Sequence, residues 1–159
     1  MKKKLLITIF LLLQSFSSFG SPNGKGIVCN WIDGNVELYK KRFRTLISNI
    51  PTDVGYFFEN DKVVISEFRI KNDIVFVEND VDERYRFSST INEIEWGSSV
   101  NWRYKLDRKT LTLKEIMFTQ VVTKRKCEVL SKTDFNERIK NLKKQYQKNY
   151  DLKLKGNKI

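Results

Sequence analysis

The sequence predicts a mainly β protein: an antiparallel meander forming a barrel-like or sandwich sheet, followed by a C-terminal amphipathic α-helix. Short runs rich in β-branched and aromatic residues recur about every ten residues, with Asn, Asp, Lys and Gly between them. No strand alternates with a helical segment in the β-α-β manner, so a parallel sheet is not expected. Near the C-terminus the apolar positions change from strand to helical period. At 159 residues the chain has room for one domain with a core of its own.

The first twenty residues read as an address rather than as structure. Lys2, Lys3 and Lys4 form a positive start, and Leu5 to Leu13 is an apolar run interrupted only by Thr8. Ser18 and Gly20 place small residues at the −3 and −1 positions of a cut before Ser21. This is the pattern of a secretory signal peptide. The apolar run falls well short of the ~20 residues that span a bilayer, and no second run of that length follows. Gly26-Ile27-Val28-Cys29 lies too far beyond the run for a lipoprotein signal, and lacks the small residue such a signal carries before its cysteine. The expected organisation is a signal peptide over 1–20, an antiparallel β domain over 21–132, a helix over 133–150 packed on the sheet, and a basic flexible tail over 151–159. The mature chain is expected to be secreted or periplasmic, with no transmembrane segment.

Cys29 and Cys127 are the only cysteines. In an exported chain they meet an oxidising compartment and are predicted to form one disulfide. It would tie the first structured segment to the last strand. For a loop of this length the chain-entropy model gives about 4–5 kcal/mol.

Within the body, Val54 to Glu59, Lys62 to Ile70 and Ile74 to Val77 read as strands. Asn60-Asp61, Lys71-Asn72-Asp73 and Glu78-Asn79-Asp80 read as the turns that end them. Tyr85 and Phe87, then Ile94 and Trp96, alternate with charged residues. The clearest strand has Val100, Trp102, Tyr104 and Leu106 against Asn101, Arg103 and Lys105. Asp107-Arg108-Lys109-Thr110 turns it back into Leu111-Thr112-Leu113, and Ile116 to Val122 and Cys127 to Leu130 complete the set. Residues 36–50 fit two periods. Val36, Tyr39, Phe43, Ile47 and Ile50 form a helical stripe, while Tyr39, Phe43, Thr45 and Ile47 also share one face of a strand. Pro51 ends either element.

The C-terminal helix is signalled by Asp134 as cap with Glu137 three residues on. Phe135, Ile139, Leu142, Tyr146 and Tyr150 make one apolar stripe, with Lys140, Lys144 and Lys148 opposite.

Composition excludes much chemistry. There is no His, so the commonest general base and metal ligand and every Ser-His or Cys-His system are absent. Two cysteines are too few for a closed structural zinc site. No phosphate-binding glycine loop, nucleophile elbow or Ser-x-x-Lys string occurs. The expectation is therefore a non-enzyme without metal or cofactor. Charge is strongly basic, 30 Lys and Arg against 19 Asp and Glu. From Asn136 onward there are eight basic and two acidic residues, so the excess is concentrated at the C-terminus.

Lys140, Lys143, Lys144 and Lys148 are the candidate contacts for an anionic surface, against the alternative that they are a solvated face of a docked helix. Lys40, Lys41, Arg42 and Arg44 lie beside Tyr39 and Phe43, as in single-strand binders, but no RNA-binding consensus accompanies them. Nucleic acid is not expected. Glu78, Asp80, Asp82 and Glu83 are dense in oxygen ligands yet lack the spacing of a calcium loop and read as a solvated acidic turn. Glu93 and Glu95 share a strand face that the alternation with Ile94 and Trp96 turns outward, away from any acid–base role.

In layout, the meandering strands, the late helix, the disulfide near the chain ends and Trp31 near the mature N-terminus resemble the calycins, the lipocalin-like class. Cys29-Asn30-Trp31 lacks the glycine of that class's G-x-W motif, so no ligand and no binding residue is carried over. The lack of Ala and the abundance of Lys, Asn and Ile also resemble short exported proteins of AT-rich bacteria. The expected function is non-catalytic: a binding or envelope-associated structural module. Tyr56, Phe58, Phe68, Phe76, Trp96, Trp102 and Tyr104 are expected to line the sheet and to hold an apolar small molecule if it encloses space. The alternative is peripheral association with anionic lipid, lipopolysaccharide or polyanion through the helix lysines.

Overall fold

The computed structural model describes residues 20–35, 53–81, 85–98 and 102–156. Residues 1–19 of the signal-peptide reading over 1–20, the helix-or-strand segment 36–50 with Lys40, Lys41, Arg42 and Arg44, and Asp82, Glu83 and Val100 lie outside them. Nine strands form one antiparallel sheet: β1 (Lys25–Gly34), β2 (Val54–Glu59), β3 (Lys62–Lys71), β4 (Ile74–Asp80), β5 (Phe87–Ser89), β6 (Glu93–Ser98), β7 (Trp102–Asp107), β8 (Thr112–Met117) and β9 (Gln120–Ser131). Among the described residues one helix follows, α1 (Lys132–Gly156).

The spatial order is β4-β3-β2-β1-β9-β8-β7-β6-β5. Every consecutive pair of strands is hydrogen-bonded except β4 and β5, and the first strand pairs with the last. The sheet is therefore a meander joined at its termini and left open between β4 and β5. It is not a closed barrel, and the calycin resemblance reaches only its curl and outer helix. A single bridge, Lys62↔Arg86, spans part of the gap. It is flanked by Val63 N–H donating to Tyr85 O at 2.8 Å and Phe87 N–H to Asp61 O at 3.2 Å.

Local chemistry sets the hairpins. Asn60-Asp61 and Asn72-Asp73 all adopt positive φ. Asn and Asp tolerate that region better than other side chains, and it matches the twist of a two-residue hairpin. Phe118 also sits at φ 55°, and here the turn departs from expectation. Ile116 to Val122 is not one strand: β8 ends at Met117 and β9 starts at Gln120. A phenylalanine carries no turn signal, so the hairpin has none in the sequence. Two further strands are longer than expected. β4 runs on through Glu78-Asn79-Asp80 by pairing with Ser66, Glu67 and Ile65 of β3. β9 is continuous from Gln120 to Ser131.

The disulfide Cys29–Cys127 is formed, across directly opposed residues of β1 and β9 with Cα atoms 4.0 Å apart. Cys127 donates its N–H away from β1, to Leu111 O at 2.8 Å. The sulfurs sit inside the curl with the largest core cluster. There Trp96 stacks on Tyr104 at 5.3 Å and 7°, and Tyr56 and Phe58 meet Trp96 edge-on at 5.1 and 5.4 Å. Such pairs add about 0.5–1.5 kcal/mol each beyond area burial.

The outer face carries the second core. Val28, Phe57, Phe68 and Val75 pack against Phe135, Ile139 and Leu142 of α1. Phe68 belongs here, not to the inner lining, because its parity on β3 is opposite to that of Val63 and Ile65. Phe76 is only half-buried and joins neither core. The helix starts earlier and ends later than expected. Its cap is Ser131, whose Oγ accepts the Asp134 N–H at 3.2 Å and donates to Asp134 Oδ2 at 2.6 Å. Asp134 is thus the N3 residue, bonded to the cap's hydroxyl, rather than the cap. Residues 151–156, expected in a flexible tail, are helical. Gln147 secures this half against the sheet edge, with Oε1 accepting the Val75 N–H at 2.7 Å and Nε2 donating to Asp73 O at 3.0 Å. A helix side chain thus occupies an amide on edge strand β4, one way of blunting an exposed edge.

The helix docks closely because β1 and β2 each place a glycine beneath it, Gly26 and Gly55. A Cβ on Gly55 would lie 2.7 Å from Ile139 Cδ1, and one on Gly26 would overlap the Phe135 ring. Gly26→Ala is expected to destabilise by about 1–3 kcal/mol in urea unfolding. Gly156→Ala, where a Cβ meets nothing within 4 Å, is expected to stay within about 0.5 kcal/mol of the parent.

Candidate functional site

The curl of the sheet leaves a cavity of about 280 Å³ at one end. Its floor is the inner face of four strands: Ile27 of β1, Phe58 of β2, Ile94 of β6 and Leu106 of β7, each at most 5 % exposed. Leu111 and Val129 form part of the wall. Gly20, Ser21, Pro22, Lys25 and Arg108 complete the lining.

Arg108 is the least expected of these. It follows β7 in a turn fixed by Thr110 N–H donating to Asp107 Oδ1 at 2.7 Å. An arginine in a polar turn reads as solvated, yet this one is buried. Its Nη1 donates to Thr90 O at 2.7 Å and Ser89 Oγ at 3.2 Å, and its Nη2 to Gly20 O at 3.0 Å. The guanidinium thereby joins the turn after β7, the β5–β6 turn and the segment before β1.

Toward the other end the inner face becomes polar. Arg125 Nε and Glu115 Oε1 form an ion pair at 2.9 Å, with side chains 0 % and 1 % exposed. Tyr56 OH donates to the same Oε1 at 3.2 Å, and the Arg125 guanidinium lies over Trp31 at 5.6 Å. Burial, and then the Glu115 carboxylate, pushes the Tyr56 phenol well above its usual range, so it serves as a neutral donor. Glu115 Oε2 and Thr123 Oγ1 are buried without a hydrogen-bond partner. This cluster was legible in principle. Arg125 and Thr123 share the parity of Cys127, which a disulfide must turn inward, and Glu115 shares that of Leu113. Among the described residues no group of three or more cysteines and acids is placed to hold a metal ion.

The remaining candidates resolve as surface features. Lys140, Lys143, Lys144 and Lys148 are all exposed on α1, whose apolar stripe is consumed by the sheet. Glu93 and Glu95 face outward and pair with Lys105 at 3.3 and 3.1 Å. Glu78 pairs with Arg69 at 2.9 Å, and Asp80 accepts from Tyr85 OH at 3.3 Å. A polar groove beside the helix holds Asn30, Asp53, Lys126, Glu128 and Arg138. Burial there raises the Asp53 carboxyl, opposed by its hydrogen bond to Tyr146. Burial likewise pushes the Tyr146 phenol up to about 12. Tyr146 Oη also accepts the Asp53 N–H at 3.0 Å, so the pair anchors the entry to β2.

Removing one partner of a buried ion pair strands the other, whereas an apolar replacement of both need not. Glu115→Leu and Arg125→Met are each expected to lower stability by about 3–5 kcal/mol. The Glu115→Leu/Arg125→Met double variant is expected to lose less than the sum of its single changes, read as a double-mutant cycle in urea.

No protein-family model, no curated protein and no solved structure matches this chain.

Proposed function

We propose that the protein is an exported, non-catalytic binding module that holds a small apolar molecule in the end of its curled sheet. The observation that carries this reading is the apolar cavity floored by Ile27, Phe58, Ile94 and Leu106. Its inner face provides burial without a reactive group. The signal-peptide pattern of residues 1–20 and the disulfide support export, since the bond is consistent with an oxidising, extracytoplasmic compartment. Among the described residues no helix is long and apolar enough to cross a membrane. The same two features support a secreted or periplasmic address as part of this proposal.

A second reading rests on the exposed lysines 140, 143, 144 and 148. With the stripe buried on the sheet, contact with anionic lipid, lipopolysaccharide or polyanion would be by charge alone, without insertion. Salt separates the two. Titration of the exported protein with 1-decanol is expected to give saturable one-to-one binding with negative heat-capacity change, insensitive to salt. Ile94→Phe, which fills cavity space, is expected to remove it. Absence of decanol binding alongside salt-sensitive retention on anionic vesicles would favour the lysine face instead.

A further inference from the structure

We propose that the tip of the β8–β9 hairpin is a membrane-contact site, in which Phe118 and Val121 enter an anionic bilayer surface while Arg103, Lys114 and Lys124 meet its head groups. This surface uses none of the residues that line the cavity and none of the helix lysines.

Phe118 and Val121 are 59 % and 47 % exposed and join neither core. Phe118 is also unfavourable where it stands. In the two-residue turn Phe118-Thr119 only the first residue has a positive φ, 55°, and glycine is the ordinary occupant of that position. A bulky side chain there is an outlier, and this ring is left largely in water. Strain held at an exposed apolar residue points to a partner outside the fold. The charges around the tip define that partner. Arg103 donates through Nη2 to Phe118 O at 3.4 Å. It stands opposite Ile116, which stands opposite Val121. Residues paired in this way share a face, so Arg103 and Val121 lie on the same side of the sheet. Two residues back along β8 on that face, Lys114 stands directly opposite Lys124, a like-charge pair that destabilises a sheet. Lys124 has Asp33 Oδ2 at 3.8 Å, and the neighbouring Lys105 is engaged by Glu93 and Glu95. Anionic head groups supply the countercharge that the Lys114–Lys124 pair calls for. α1 meets β9 through Glu128 and Leu130, toward the other end of that strand. An apolar tip with cations behind it suits shallow interfacial binding, with the ring at the acyl boundary and the ammonium groups among the phosphates.

The test is flotation of the exported protein with vesicles of phosphatidylcholine alone and of phosphatidylcholine with phosphatidylglycerol. Retention on the anionic vesicles is expected, with weaker retention on the neutral ones. Phe118→Gly is expected to cut partition onto anionic vesicles roughly tenfold, the effect of withholding a Phe side chain from an apolar phase. The same change is expected to keep or raise the urea midpoint, a separation that a purely structural role would not give. Lys114→Gln/Lys124→Gln is expected to lose the preference for anionic lipid without a lower midpoint. If the lysines of α1 carry the contact by charge alone, ~0.5 M salt abolishes retention and Phe118→Gly leaves it unchanged. That result would overturn the proposal, as would failure to float with either vesicle. Equal retention on neutral and anionic vesicles would overturn the role given to the lysines. Concentration-dependent dimerisation that Phe118→Gly removes, without vesicle binding, would assign the tip to a second copy of this chain instead.

Discussion

Pairing of β1 with β9 organises the whole molecule. These strands come from opposite ends of the described chain, yet lie side by side at the centre of the sheet. Their ladder runs from Lys25↔Ser131 to Gly34↔Thr123, and Cys29–Cys127 is fixed within it, 98 residues apart in sequence. Closing so long a loop is entropically expensive, and the covalent link removes about 4–5 kcal/mol of that disadvantage from the unfolded chain. Once β1 and β9 are joined, each remaining strand adds to a neighbour through a local hairpin or a short connection. The exception is residues 36–52, between β1 and β2.

From that central pair both cores follow by parity. On β1, Ile27 and Cys29 face inward and Val28 faces the helix. The inner face meets across the curl, where aromatic rings seal the middle, the Glu115–Arg125 pair occupies one region and a cavity remains at the opposite end. The outer face of β1, β2, β4 and β9 is covered by α1, which leaves β9 without a loop because Ser131 ends the strand and caps the helix at once. The functional reading rests on this division. The helix covers the outer face over β1, β2, β4 and β9, packing fills the middle of the inner face, and the proposed ligand site is the cavity at the end of the curl.

Much of the architecture could be read from residue order. The hairpins at Asn60-Asp61 and Asn72-Asp73 announce themselves because these side chains suit positive φ. The disulfide follows from cysteine count and compartment, and the helix stripe from its spacing. What escaped reading was held by partners far away in sequence. The Phe118 turn uses a residue with no turn preference. Residues 151–156 are helical in a segment whose Gln147 and Tyr150 are tied to the loop at Asp73. Arg108 looked like a solvated turn residue, because nothing local shows that Gly20, Ser89 and Thr90 converge on it. Phe68 was placed on the wrong face for want of a register, and a register is fixed only when two strands are known to pair.

Native-state hydrogen exchange, resolved by residue, tests the central role of the β1–β9 pair most directly. Amides of the strands flanking Cys29 and Cys127 are predicted to exchange only through global unfolding, with the highest protection in the molecule. Reducing the disulfide is predicted to lower that protection throughout the sheet. Exchange of β1 and β9 ahead of β6 and β7, or protection indifferent to reduction, would contradict the account.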